Sequence, residues 1–124
     1  MPVSREYEEY LLDRLSVCGE VFSKRMFGGL GLYLDGLFFA LAADNVLYFK
    51  VDETNREDYE KFGMEPFRPF EGKKMAMNYY EVPPEILEDD DILRTWAVKA
   101  FEVAVRQQAK KSRPSKRKSG KTPK

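Results

Sequence analysis

Apolar residues near the start of the chain recur at helical spacing. Tyr7, Leu11 and Leu15, with Tyr10 and Leu12 beside them, form one stripe that predicts a helix up to about Val17. Ser4 supplies an N-cap, and Glu6, Glu8 and Glu9 place negative charge where the helix dipole favours it. Gly19 is the stop. The period then shortens to two. Residues 26–34, 37–43 and 46–51 read as three antiparallel strands, separated by Asp35-Gly36 and Asp44-Asn45, both hairpin turn pairs. Thr54 and Glu57 form a capping box for a short helix that Gly63 ends. Residues 67–70 and 73–82 predict two more strands joined at Glu71-Gly72, with Pro66 and Pro69 marking the first as an edge strand. Ile86 and Leu87 lie in a turn of helix. Asp89, Asp90 and Asp91 then open a long helix to about Ala109, with Ile92, Leu93, Trp96, Ala97, Ala100, Phe101, Ala104 and Val105 as its apolar stripe.

The order αβββαββα predicts an α+β, two-layer domain: an antiparallel five-stranded sheet with helices. Alternation puts Leu30, Leu32 and Leu34 on one face, with Leu37, Phe39, Leu41, Leu47, Phe49 and Val51. The second face collects Gly29, Gly31, Tyr33, Phe38, Ala40, Ala42, Val46 and Tyr48, small or aromatic rather than charged. Such a face is covered by a helix or receives a partner. Helix cover is the first expectation, because the long last helix needs a surface to bury.

Charge divides the chain in two. The net charge is zero, yet residues 110–124 hold eight Lys or Arg and no acid. Residues 1–109 therefore hold 13 basic and 21 acidic side chains, a net of −8. The expected organisation is a folded domain over 1–109 and a disordered basic tail over 110–124, since the tail has no large apolar residue to offset its ordering entropy. Lys110, Lys111, Arg113, Lys116, Arg117, Lys118, Lys121 and Lys124 suit phosphates without reading sequence. The same charges also suit a solubilising extension, or one that folds back on its acidic domain. No run approaches a membrane span, and the N-terminus runs directly into charge, so the expected location is the cytoplasm.

Candidate chemistry is sparse. A chain without histidine has no Cys-His or Ser-His-Asp nucleophile system and no cysteine–histidine zinc site. Cys18, the single cysteine, reads as a small residue near a helix end. Phe27-Gly28-Gly29-Leu30-Gly31 is glycine-rich, but it precedes a strand and lacks a following Gly-Lys-Ser/Thr, so it reads as a bulge or close backbone approach. Glu85, Glu88, Asp89, Asp90 and Asp91 lack calcium-loop spacing and have a structural reason at a helix start. Lys24, Arg25, Lys50, Lys73 and Lys74 form a possible basic patch near Tyr33, Phe38, Tyr48, Tyr79 and Tyr80, which have the shape to stack on bases. The acidic balance of the domain favours solvated lysines and packed aromatics instead. The expectation is therefore no catalytic, cofactor or metal residue.

Several segments together resemble the TfoX (Sxy) N-terminal domain family. The signature is Arg25, Met26, Phe27, Gly28 and Gly29, then Gly31, Leu32 and Tyr33. Asp44-Asn45-Val46-Leu47-Tyr48 with Lys50, Gly63-Met64-Glu65-Pro66-Phe67, Met77 with Tyr79-Tyr80-Glu81-Val82-Pro83, and Trp96-Ala97 follow in order. The resemblance implies an α+β fold similar to secretion-chaperone-like domains. It also implies a competence or transcription regulator acting with a protein partner, such as a catabolite-activator-type factor, and it supplies no catalytic residues. The chain looks like a stand-alone member, with the basic tail where the second domain of full-length relatives would follow. The functional expectation is a non-enzymatic regulatory or adaptor domain whose tail adds nonspecific nucleic-acid affinity. The alternative is a homodimeric or chaperone-like interaction module.

Overall fold

The computed structural model describes residues 2–26, 28–67 and 76–112. Helix α1 is Arg5–Leu15, and a 3-10 turn Ser16–Cys18 follows. The strands are β1 Val21–Met26, β2 Gly29–Leu34, β3 Leu37–Ala43, β4 Val46–Lys50, β5 Pro66–Phe67 and β6 Ala76–Glu81. Helix α2 is Arg56–Glu60, α3 is Pro84–Leu87 and α4 is Asp90–Ser112. The six strands form one antiparallel sheet in the order β1-β2-β3-β4-β6-β5.

The family-type α+β architecture stands, but the sheet has six strands rather than five. The strand expected over 26–34 starts at Gly29 as β2, and an unexpected strand, β1, precedes it and ends at Met26. Gly28, at φ +77°, turns the chain between them. Its positive φ is open to glycine at no steric cost, so the glycine run makes a hairpin rather than a phosphate loop. The turns at Asp35-Gly36 and Asp44-Asn45 hold all four residues at positive φ, as tight hairpins require.

Capping is partly as expected. Ser4 Oγ accepts the Tyr7 N–H at 3.1 Å, and Ser4 N–H donates to Asn45 Oδ1 at 3.0 Å, tying the N-terminus to the β3–β4 turn. The Thr54–Glu57 capping box does not form. Thr54 N–H and Oγ donate to Asp52 Oδ1 at 2.8 and 2.6 Å, because a carboxylate two residues back is the stronger acceptor. Helix α2 starts after Asn55 instead. The buried Asn55 side chain accepts from Asp52 N–H at 2.9 Å and donates to the Lys50 carbonyl at 3.2 Å, fixing the exit from β4.

Helices α1, α3 and α4 pack with Tyr59 of α2 against one face of the sheet in a single core. Leu11, Leu15, Leu30, Leu32, Phe39, Phe49, Leu93, Ala97 and Ala100 are fully buried or nearly so. Each such leucine contributes about 1.5–3 kcal/mol through burial. Helix α4 buries Leu93, Trp96, Ala97, Ala100, Val103 and Ala104, whereas Ile92 and Val105 of the expected stripe are exposed. It continues to Ser112, so Lys110 and Lys111 extend the helix beyond the expected boundary at 109.

A bulge corrects the expected faces. Leu32 pairs with Ala40 but Tyr33 pairs with Phe38, which leaves Phe39 as an extra residue in β3. Beyond it the alternation changes phase. Ala40 and Ala42 join Leu30, Leu32, Phe49 and Leu47 on the helix side, and Leu41 moves to the other side with Gly31 and Tyr48. Buried alanines there let α4 approach the sheet closely.

Candidate interaction face

The second sheet face is not covered by any described helix, so the expected helix cover does not form. Its composition follows from the register. One row crosses the sheet as Phe22, Tyr33, Phe38, Lys50 and Tyr79, from β1, β2, β3, β4 and β6. The next row is Lys24, Gly31, Leu41, Tyr48 and Glu81.

The aromatic rings of the first row pack side by side. Tyr33 and Phe38 stack at 5.4 Å between centroids, and Phe38 lies 5.9 Å from Tyr79. Lys50 Nζ sits 5.7 Å from the Phe38 centroid and 6.0 Å from that of Tyr79, within cation–π range. From the end of β4 it also donates to Gln107 Oε1 of α4 at 2.9 Å. The last turns of α4 therefore lie at the end of the sheet that carries the aromatic row. Gly31 has no room for a side chain: an added Cβ would meet Met26 Cε at 2.8 Å and Phe38 Cε1 at 3.3 Å. Phe22 stands 61% exposed at the end of the row. Tyr48 and Phe67 meet at 4.7 Å further across the face.

Tyr48 and Tyr79 on this face are held as neutral phenols at physiological pH. Burial, with Tyr33 nearby, pushes the Tyr79 phenol up to about 12. Burial, with Glu81 and Asp44, pushes Tyr48 up as well. Cys18 lies elsewhere, its thiol raised by burial and donating to the Leu15 carbonyl at 3.0 Å, which holds it in the unreactive protonated form.

The signature residues divide between two faces. Met26, Gly29, Gly31, Tyr33 and Tyr79 lie on the open side, with Gly28 in the turn beside them. Arg25 points to the helix side, where Nη1 donates to the Val3 carbonyl at 2.7 Å and Nη2 to Glu8 Oε1 at 2.9 Å. Tyr80 is buried against Tyr59, ring centroids 5.8 Å apart. These two are structural, so the expected basic and aromatic patch loses Arg25 and Tyr80. Phe27, Lys73 and Lys74 lie outside the described residues, as do the tail positions Arg113, Lys116, Arg117, Lys118 and Lys121. Phe22 was missed because β1 was missed. Its signal is the alternation of Phe22, Lys24 and Met26 against Val21, Ser23 and Arg25.

The carboxylates at the start of α4 are engaged by protein groups. Asp90 pairs with Arg14 at 2.6 Å, Asp91 with Arg94 at 3.8 Å, and Asp89 Oδ1 caps the Ile92 N–H at 3.1 Å. Tyr10 Oη donates to Glu88 Oε2. Among the described residues, no three Cys, Asp or Glu gather as a metal set. A cleft of about 300 Å³ opens at the start of β4, lined by Tyr7, Tyr10, Asn45, Glu81, Leu87 and Glu88 among others. Burial, then Tyr10 and Glu81, pushes the Tyr7 phenol there up to about 12. No described helix is long and apolar enough to cross a membrane.

Comparison with known proteins agrees with this architecture. The TfoX N-terminal domain matches residues 13–104, from the last turn of α1 into the second half of α4. No curated protein matches the chain. The matched span contains the whole sheet, both faces of the signature and the packing of α4, and the chain belongs to the TfoX N-terminal domain family.

Proposed function

We propose that this chain is a non-enzymatic regulatory or adaptor domain that works by contact through its open sheet face. The basic tail adds nonspecific affinity for nucleic acid. The observation that carries the reading is the face itself: a row of aromatic side chains without a helix over it among the described residues, ending in an exposed Phe22. Soluble monomers seldom leave a contiguous apolar surface of this kind without a use. The raised phenols and thiol support binding rather than catalysis, because each is held in its neutral form. Family membership supports a regulatory role in general terms, and a transcription-related task in the cytoplasm is its natural extension.

The tail is tested in the full chain by replacing Lys116, Arg117 and Lys118 with glutamine. Duplex DNA affinity should fall and its salt dependence should flatten, because fewer counterions are released. An unchanged salt slope would remove the tail from the account.

A second reading follows from the exposure of Phe22, since the same face suits a second copy of the chain. Sedimentation equilibrium separates the two. A monomer that binds partners supports the adaptor, and a dimer dispersed by Phe22→Glu supports self-association.

A further inference from the structure

The sheet has two outer edges, and they are built differently. One is β5, which is two residues long and opens with Pro66. Shortness and proline both keep an edge from pairing with another chain. The other is β1, six residues long, with no proline and an unbroken register against β2. Of its two adjacent cations, Arg25 is turned to the helix side and held by Glu8 and the Val3 carbonyl, which leaves Lys24 to guard the edge. Helix α1 does not close this edge. It reaches from β1, where Ser23 Oγ donates to Glu8 Oε2 at 2.6 Å, to the start of β4, where Tyr7 lines the cleft with Leu47. Its axis therefore runs inboard of β1.

The hairpins fix which backbone groups of β1 are free. The turn Asp35-Gly36 joins Leu34 directly to Leu37, so these two form a hydrogen-bonded pair. Bonding alternates along β2, so Leu32 and Leu34 bond towards β3, and Gly29, Gly31 and Tyr33 towards β1. Their partners in β1 are Met26, Lys24 and Phe22. The N–H and C=O groups of Val21, Ser23 and Arg25 therefore point away from the sheet, and no described backbone group bonds them there. A second copy of β1, antiparallel about a two-fold axis normal to the sheet, would pair these same residues and keep both helix layers on one side. The register that pairs most of them sets Ser23 against Ser23 on the axis and Val21 against Arg25 of the other copy. Phe22 then lies opposite Lys24 of the other copy, twice by symmetry, in the closer, non-hydrogen-bonded kind of pair. Sliding the strands by two residues brings Lys24 against Lys24 or Phe22 against Phe22, with fewer pairs. The favoured register thus lays the ring that stands 61% exposed beside a cation, in reach of a cation–π contact. Glu20, exposed just before the strand, falls diagonal to the same Lys24 and adds the opposite charge.

We propose that the outer edge of β1 pairs with β1 of a second copy, joining two six-stranded sheets into one continuous sheet across a two-fold axis. Such pairing is independent of the adaptor reading. It uses the edge of the sheet and leaves the open face free. It also sets two such faces side by side, so that one dimer offers a doubled surface. It differs from a face-to-face dimer, in which the aromatic rows would cover each other.

The test is sedimentation equilibrium of the full chain over a wide concentration range, with three variants. Phe22→Lys places like charges opposite each other at both symmetric pairs and should raise the dimer dissociation constant roughly tenfold or more. Phe22→Glu faces Lys24 of the other copy with the opposite charge, so the dimer should persist. Val21→Pro removes an outward N–H at the first residue of the strand, where proline is tolerated, and should disperse the dimer while each monomer stays folded. Circular dichroism and urea midpoints check the fold of each variant. Hydrogen exchange gives a second readout: dilution should expose the Val21, Ser23 and Arg25 amides, while those of Phe22 and Lys24, bonded to β2, stay protected. A monomer at every concentration would overturn the proposal and leave the adaptor reading standing. A dimer that Val21→Pro and Phe22→Lys leave intact would overturn it as well. Dispersal by Phe22→Glu as complete as by Phe22→Lys would also overturn it, and would assign self-association to the open face.

Discussion

Tyr59 offers the sharpest energetic prediction, because its sign runs against the usual effect of trimming a core residue. The ring is 1% exposed, 4.5 Å from Trp96 and 5.8 Å from Tyr80 between centroids. Its hydroxyl is buried and has no hydrogen-bond partner. An unsatisfied buried hydroxyl costs about 1–3 kcal/mol. Tyr59→Phe keeps the ring contacts and removes that cost. The variant should be more stable by about 1 kcal/mol, which raises Tm by roughly 3–5 °C for a domain of this size. Equilibrium urea unfolding followed by the emission of Trp96, the single tryptophan, measures it. Tyr59→Ala, by contrast, should cost about 3–5 kcal/mol by opening a cavity. The alkaline limb gives a second check. Burial, with Asp58 adding, holds the phenol well above its ordinary value of 10.0. The unfolded chain releases this proton at lower pH than the fold, so stability falls as pH rises above the ordinary value. Tyr59→Phe should make that fall shallower. A loss of about 1 kcal/mol in Tyr59→Phe would refute the reasoning, because it would mean that the hydroxyl is satisfied, for instance by buried water.

Other perturbations test other joints. Asn55→Ala removes an acceptor from Asp52 N–H and a donor from the Lys50 carbonyl, and should cost about 2 kcal/mol in urea unfolding. The Ser23 hydrogen bond, acting against burial and helped by Arg25, holds the Glu8 carboxyl below its ordinary value of 4.5. Its contribution is therefore present above that pH and is lost as pH falls through the folded value. Glu8→Gln should flatten the acid limb of the stability curve while costing less than about 1 kcal/mol near neutrality. Gly31→Val should cost about 1–3 kcal/mol, because the new side chain displaces Met26 and Phe38, and thermal denaturation reads it.

The hairpin turns were legible in the sequence because Asp35-Gly36 and Asp44-Asn45 answer to a local demand, positive φ at both positions. Helix α4 was legible for a similar reason, since Leu93, Trp96, Ala97, Ala100 and Ala104 repeat at one period over several turns. Strand β1 was not. Its exposed Phe22 and its polar Ser23 and Arg25 give no apolar face, and only Glu8, Ser23 and Arg25 brought together across α1 and β1 explain the polar side. The bulge at Phe39 was equally hidden, because an extra residue in β3 shows itself only against the register of β2. That one residue moved Ala40 and Ala42 beneath α4 and Leu41 to the open face. For the candidate surface, alternation placed Tyr33, Phe38 and Tyr48 correctly. It had no means of separating Arg25 from Lys24, since that depends on which side of β1 is buried.

Chemical-shift mapping of the isotope-labelled full chain, titrated with the apolar probe 8-anilinonaphthalene-1-sulfonate, tests the central claim most directly. The account predicts that the largest changes fall on Phe22, Tyr33, Phe38, Leu41 and Tyr79, while the outer surfaces of α1 and α2 stay silent. Changes centred on the helices would contradict the claim that the open sheet face is the working surface.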